Sequence, residues 1–482
     1  MENPLGAAQP LELLAGDPRT VRVSWPARAE PCVLWRADGS GELDRAVASE
    51  LPYAPLCDGR LYLRNPTVGQ KTSLERMTDF LRDHVWGGEE FIDFVKEKFY
   101  HDAFAERGVP GAPCALPPSG RGTSPPPALI APQPKLQCLL APSFGIAVEP
   151  AGRGFAAGEW YPVRDLPDVY ASVATPSSMT QRRSSGADSH SEALVYLVAF
   201  DLDAFDLHFV LGTDHPRLGW SPRPPPQVRD PALPGPDGVG SPAPLVLDGL
   251  VSPADARRTV ATFAGGFRRD HGAFRYGPFA LKNHGSHYGF IEDGTIFSKL
   301  QPGLATLFST VDGRIEMKTW SPADDAGLAR IRDARQNGVP LLEYDAARGA
   351  GVPGALINAW GAGNWSGSAE EVLRTLRAGA CLEQSGTRRF LIYGYFSTAT
   401  PATMARVFEG YRCRYAMLLD MNALEHTYLA LYVQRGRATM VEHLVQGMEQ
   451  LDRSTRHGFA PRFLAVPDNR DFFYLTRRES AR

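Results

Sequence analysis

"AMLLDMNALEHTYLALY" (residues 416–432) sets Asp420, Asn422, Glu425 and His426 between two apolar runs. Each polar side chain needs a partner once water is excluded, so one continuous buried strand does not accommodate them. The flanking runs read as strands, and the polar centre marks the place where the first of them ends.

Working outward, the surrounding chain alternates short β-rich runs with turn signals. "EALVYLVAFDLDAFDLHFVLG" reads as two strands joined by an Asp-bearing turn. Asp201, Asp203 and Asp206 in that turn lack the glycine and terminal glutamate of a calcium-binding loop. "YGFIEDGTIFSKL" and "LATLFSTVDGRIEMKTW" each carry Asp-Gly inside alternating apolar residues, which predicts a hairpin in each. "SAEEVLRTLRAG" predicts a helix opened by Ser368 and closed by Gly379. "TPATMARVFEGYRC" predicts another, with Thr400 as its cap and Pro401 in its first turn. Helices among hairpins indicate an α+β fold built on a mixed β-sheet.

The first 108 residues predict a smaller module mixing helix and strand. "VRVSW" and "PCVLWRADG" read as strands, and Thr72 with Glu75 forms a capping box ahead of a helix ending near Gly87-Gly88. A second helix carries Phe91, Ile92, Phe94, Val95 and Phe99. Nine prolines between Pro110 and Pro134 favour irregular backbone. They place a linker over 109–154 and a larger domain over 155–482. Polar and proline-rich stretches at 175–192 and 222–244 read as loops inserted in that domain.

At 482 residues the chain exceeds one ordinary core. Its 43% hydrophobic and 22% charged content is that of a globular protein. A net charge of -3, from 51 basic and 54 acidic residues, supplies no field that favours nucleic acid as a partner. No apolar run approaches the roughly 18–20 residues of a spanning helix, so no membrane span is predicted. The first residues show neither a basic region nor a long apolar region, so no signal peptide is visible.

The six cysteines fall as three sequence neighbours, Cys32 with Cys57, Cys114 with Cys138, and Cys381 with Cys413. Spacing alone does not choose between disulfides and free core thiols. No Cys-x-x-Cys occurs, and His284 with His287 sits in a glycine-rich loop, so no metal set and no cofactor is predicted. Asp214, His215 and Arg217 read as a solvated loop. Gly361, Gly363, Asn364 and Trp365 read either as a sugar-stacking loop or as a structural turn.

Three stretches in order, "TVATFAGGFRRDHG" (259–272), "TRRFLIYGYFS" (387–397) and "YRCRYAMLLDMNALEHTY" (411–428), resemble the signature blocks of the phosphodiester glycosidase domain family. The resemblance covers the chain from about residue 155 onward. In the family the first block ends Asn-Gly-Gly-Phe, the second has an arginine entering a strand that ends in glycine, and the third runs into Asp-Gly-Gly-Gly-Ser. Here Gly265, Gly266 and Phe267 are kept with Ala264 in place of the asparagine. Asp420 is kept, with Met421, Asn422 and Ala423 in place of the glycines.

The resemblance implies hydrolysis of a sugar-1-phosphodiester, a carbohydrate or sugar-phosphate ligand, and an exported or periplasmic location. That chemistry requires an anion clamp, suited to arginine, and a carboxylate with a tuned pKa. The implied catalytic residues are Asp420 and Glu425. The implied substrate-binding residues are Gly265, Gly266, Arg388, Arg389, Asn422 and His426. The departures from the pattern lead to two expectations: a relict fold that binds glycan, or an enzyme with a shifted substrate. The alternative is a non-catalytic structural or interaction protein of the cell envelope.

Overall fold

In a computed structural model the described residues are 11–80, 104–110, 114, 138–179, 191–213, 249–267, 288–357 and 374–478, apart from 15, 26–30, 66, 73–74, 78–79, 299, 437 and 456–457. The described residues form mostly antiparallel sheets with a few short helices, an architecture compatible with an α+β or a mainly β class, and the ladders are antiparallel rather than the mixed sheet expected. Every ladder between named strands is antiparallel, and parallel pairing occurs among the described residues at isolated bridges, Gln70 with Asp468 and Arg462 with Val466.

The strand Cys413–Met421 lies inside an eight-stranded sheet, between Pro340–Asp345 and Thr375–Ser385. The strand Leu429–Arg435 lies in a five-stranded sheet, between Thr259–Ala264 and Ala438–His443. The polar centre of 416–432 is therefore the crossover from one sheet to the other. The Asp-bearing turn after Val195–Asp201 does the same, because Phe205–Val210 pairs with Phe472–Arg477 rather than with the strand before it. The two sheets share one core, with Leu391, Tyr393, Met417 and Leu419 from the first and Phe263, Leu431, Phe473 and Leu475 from the second.

The strand Arg388–Ala399 alternates with period two. Leu391, Tyr393 and Tyr395 face that core, while Phe390, Ile392 and Phe396 face a second one beneath the helix Pro401–Gly410. Thr400 caps this helix by accepting from the Thr403 amide, as its sequence predicts. Gly379 and Gly394 face each other across the ladder. A Cβ at Gly394 would lie 3.1 Å from Phe408, so the glycine pair gives the helix room to seat.

Both Asp-Gly hairpins form, Phe290–Glu292 with Thr295–Ser298 and Ala305–Thr310 with Ile315–Thr319. Asp293 (φ 46°) and Gly294 (φ 74°) both take the left-handed conformation that the tight turn demands. The helix expected from Ser368 to Gly379 is not present over its second half, where Thr375–Ser385 is a strand. Hydrogen bonding to strands on both sides overrides the helical spacing of "VLRTLRAG".

At the N-terminal end, strands Thr20–Ser24 and Cys32–Arg36 form as expected and pack with Ala46, Leu56 and Leu61 into a separate small core. The capping box is present: the Thr72 amide donates to Glu75 at 2.8 Å and the Glu75 amide to the Thr72 hydroxyl at 3.1 Å. Leu139, Ala141, Ile146 and Val148, within 109–154, are buried in the main core. The second N-terminal helix, the proline-rich stretch from 115, the 222–244 loop and most of the 175–192 loop lie outside the described residues. So do Asp214, His215, Arg217, His284, His287 and the Gly361–Trp365 stretch.

Three disulfides join Cys32 to Cys57, Cys114 to Cys138 and Cys381 to Cys413. No helix among the described residues is long and apolar enough to cross a membrane.

Candidate functional site

Three strand ends meet at Asp420. The strand Thr259–Ala264 runs into the Gly265-Gly266-Phe267 turn, the strand Ile331–Gln336 ends at Asn337, and Cys413–Met421 carries Asp420 one residue before its end. The Asn337 side chain ties the three together. Its Oδ1 accepts from the Phe267 amide at 3.1 Å, and its Nδ2 donates to the Leu418 and Leu419 carbonyls at 3.0 and 2.7 Å.

Gly266 sits at φ 138°, and a Cβ there would lie 2.5 Å from both Arg335 Nη1 and Asn337 Oδ1. The glycine is required because the Arg335 guanidinium packs directly on the turn. Fully buried Arg335 donates to the Phe267 carbonyl at 2.6 Å, to Asn337 Oδ1 at 2.9 Å and to Asp471 Oδ2 at 3.2 Å. Burial presses its pKa below the ordinary value, and Asp471 and Asp420 oppose that shift.

Asp420 is buried with both oxygens engaged. Oδ1 accepts from the Met421 amide at 2.8 Å and Oδ2 from Arg470 Nη1 at 2.7 Å. Arg470 precedes the strand Phe472–Arg477 and reaches three more groups. It donates from Nε to Glu75 Oε1 at 2.9 Å, from Nη2 to His426 Nε2, and from its backbone amide to Asp468 at 2.9 Å. His426 Nδ1 lies 2.6 Å from the Met421 carbonyl. The ring is thus held between the Met421 carbonyl on its Nδ1 side and the Arg470 guanidinium on its Nε2 side.

Asn422 takes φ 80°, the left-handed conformation an asparagine tolerates. Its Oδ1 accepts from the Thr375 hydroxyl at 2.9 Å, which makes it a turn residue. Glu425 is buried, and its carbonyl accepts from Arg462 Nη1 at 2.7 Å. Arg462 also grips Asp468 with two nitrogens, at 2.6 and 3.1 Å. Burial pushes the Arg462 pKa down, and Asp468 raises it above the ordinary value.

Three guanidiniums, Arg335, Arg462 and Arg470, are thus matched by Asp471, Asp468, Asp420 and Glu75. Each charge is held by an opposite one inside the protein. Burial pushes the Glu75 carboxyl up, but Arg470, His426, the Thr72 amide and Arg462 outweigh it and hold the group well below its ordinary value. Asp420, ion-paired at short range, is a carboxylate acceptor rather than a proton donor.

Arg388 and Arg389 are not part of this cluster. Arg388 pairs with Asp201 and lies 4.0 Å from Asp168, while Arg389 bonds Glu316 at 3.0 Å and the Ile315 carbonyl at 3.1 Å. By register Arg389 faces Gln384, and Glu383 faces Cys413, the opposite end of the strand that carries Asp420. At about 3.3 Å per residue the separation along the sheet is roughly 20 Å. The arginine that meets the Gly265-Gly266 turn is Arg335.

Sequence reading therefore finds Gly265, Gly266, Asp420, Asn422 and His426 in one place, with Glu425 adjoining them through its backbone. It misses Glu75, Arg335, Asn337, Arg462, Asp468, Arg470 and Asp471. "PDNRD" at 467–471 carried a usable signal, since four polar residues directly before the apolar "FFYL" repeat the pattern of 420–426. Among the described residues one group of metal-ligating atoms comes together, Cys32, Glu42 and Cys57. Both sulfurs are in a disulfide and offer no thiolate.

No family model matches the chain, and no curated protein matches it.

Proposed function

We propose that the chain is a divergent protein of phosphodiester glycosidase type that binds a sugar-1-phosphodiester or related glycan at the Asp420 strand end and does not hydrolyse it. The observation that carries the binding half is the meeting of the Gly265-Gly266 turn with Asp420 through Arg335 and Asn337. In this reading two of the three blocks that resemble the family meet beside Arg335, and the arginine would exchange its Asp471 partner for the ligand anion.

The loss of hydrolysis rests on Asp420. Glycoside cleavage requires a protonated acid at the leaving oxygen and a second carboxylate at a set separation. Asp420 is paired with Arg470, and Glu425 joins the cluster through its backbone carbonyl. The three disulfides fit an exported protein. In this reading the N-terminal module, residues 1–108, is an accessory unit whose trailing segment reaches the site through Glu75.

The closed charge pairing also favours the second reading, a non-catalytic interaction protein of the cell envelope with no glycan site. Calorimetric titration with N-acetylglucosamine 1-phosphate separates the two. Saturable binding that is lost in Arg335→Met, with that variant still folded, supports the glycan reading. Absence of binding to wild type sinks it.

A further inference from the structure

We propose that Cys32, Glu42 and Cys57 are a zinc site in the reduced protein, so that the N-terminal module exchanges one staple, the Cys32–Cys57 disulfide, for another, a bound metal. This site is independent of the Asp420 cluster and of the glycan reading.

The three side chains come from three elements. Cys32 opens the strand Cys32–Arg36, Glu42 opens the helix Glu42–Ala48, and Cys57 directly follows the strand Tyr53–Leu56. Their two sulfurs and a carboxylate oxygen lie within 4.8 Å of one another. Glu42 is turned toward the cysteines, because its Oε2 accepts from the Cys57 amide. Its Oε1 has the exposed Arg45 at 3.8 Å, a surface pair worth little that a dication outcompetes.

The donor set selects the metal. Two thiolates are soft ligands that favour zinc over magnesium or calcium, and with one carboxylate they fill three corners of a tetrahedron and leave the fourth to water. At zinc–sulfur distances of about 2.3 Å the two sulfurs stand roughly 3.8 Å apart. The Cα separation of 5.7 Å accommodates that spacing by side-chain rotation.

Cys57 is buried and Cys32 half-buried, so a dithiol reductant attacks the Cys32 sulfur. The mixed disulfide releases the Cys57 thiolate, and the second thiol of the reductant then frees Cys32. Two electrons pass from the dithiol, which leaves as its own disulfide, and the two thiol protons depart when zinc binds. The module needs a staple in either state. Its own core, built around Val23, Leu34, Leu56 and Leu61, is too small to hold a fold by itself. Metal on the three side chains joins the same strand and hairpin as the disulfide and adds the helix. Cys381 and Cys413 are both buried, and among the described residues no third ligating side chain joins that pair or Cys114 with Cys138.

The test uses the full chain, made and purified under a phosphine reductant, as wild type, Cys32→Ser and Glu42→Gln. The Glu42→Gln change keeps an acceptor for the Cys57 amide and removes the anionic ligand. Alkylation and peptide mapping identify which cysteine pairs are open. Cobalt(II) is the probe, read by its thiolate charge-transfer absorbance, and zinc is then titrated against it. The expected result for wild type is one cobalt per chain, displaced by one zinc, and none after air oxidation closes the Cys32–Cys57 pair. Cys32→Ser is expected to lose the absorbance, and Glu42→Gln to bind zinc about tenfold or more weakly. Absence of cobalt uptake by wild type with Cys32 and Cys57 open overturns the site, as does a Cys32–Cys57 bond that the reductant leaves closed. Uptake that survives in Cys32→Ser assigns the metal to other thiols and overturns it as well. Zinc affinity unchanged in Glu42→Gln removes the carboxylate and with it the three-ligand site.

Discussion

Arg470 Nη1 donates to Asp420 Oδ2 at 2.7 Å, joining the end of one sheet to the start of the last strand of another across 50 positions of sequence. Both side chains are almost fully buried. Removing one partner leaves the other charge without compensation, so Asp420→Ala is expected to lose about 3–5 kcal/mol of stability in urea unfolding. Because Arg470 also pairs with buried Glu75, the double variant Asp420→Ala with Arg470→Met is expected to lose less than the sum of the two single losses, without recovering wild-type stability. Two single losses that simply add would show that the pair is not coupled.

Gly266→Ala is expected to destabilise far more than Gly265→Ala. At 266 the new methyl meets Arg335 and Asn337 at 2.5 Å with φ at 138°, whereas at 265 the nearest atom, the Asp471 carbonyl oxygen, lies at 3.2 Å. A strained backbone plus displacement of a buried arginine amounts to about 2–4 kcal/mol. Thermal melting of the two variants checks the order.

His208 and Asp333 give stability opposite pH dependences within one window. Burial, then Arg332 and Arg258, press the His208 imidazole down to about 3 from 6.5. Its contribution is present above pH 6.5 and is lost as pH falls toward 3. Burial pushes the Asp333 carboxyl up to about 6 from 3.8, partly offset by Arg332. Its contribution is complete below pH 3.8 and is lost as pH rises through 6. His208→Gln removes the first effect alone. Between pH 6.5 and pH 4 its unfolding free energy is expected to change more favourably than that of wild type by about 3 kcal/mol. Parallel pH profiles for the two proteins would contradict this.

Cys381–Cys413 links neighbouring strands of the eight-stranded sheet and closes a span of 32 residues. On the chain-entropy account its loss, as a Cys381→Ala and Cys413→Ala pair, lowers stability by about 3–4 kcal/mol. Peptide mapping of unreduced protein is expected to return the three neighbouring pairs and no free thiol. Free thiols at these positions would remove the argument for an oxidising compartment.

What the sequence made legible is local. The Asp293-Gly294 hairpin, the Thr72–Glu75 box and the Thr400 cap are each decided within a few residues by turn or cap chemistry. Asp420 stood out because polar residues interrupt an apolar run, and the reason is a crossover between sheets. The partners of Asp420 were hidden, since Arg470, Arg335 and Glu75 reach it or its neighbours only through sheet packing and long-range register. Arg388 and Arg389 misled for the same reason: adjacent blocks in sequence place them at the far end of the strand ladder. Thr375–Ser385 misled because burial on both edges decides a central strand more strongly than its own spacing does.

The central claim is that the Asp420 site binds a sugar phosphodiester without cleaving it. The most direct test is release of N-acetylglucosamine from a model N-acetylglucosamine-1-phosphodiester, measured for wild type and Asp420→Ala beside a buffer blank. The account predicts that both proteins release sugar at the blank rate while wild type still binds N-acetylglucosamine 1-phosphate. Release by wild type well above the blank, abolished in Asp420→Ala, would contradict it and restore Asp420 as a catalytic residue.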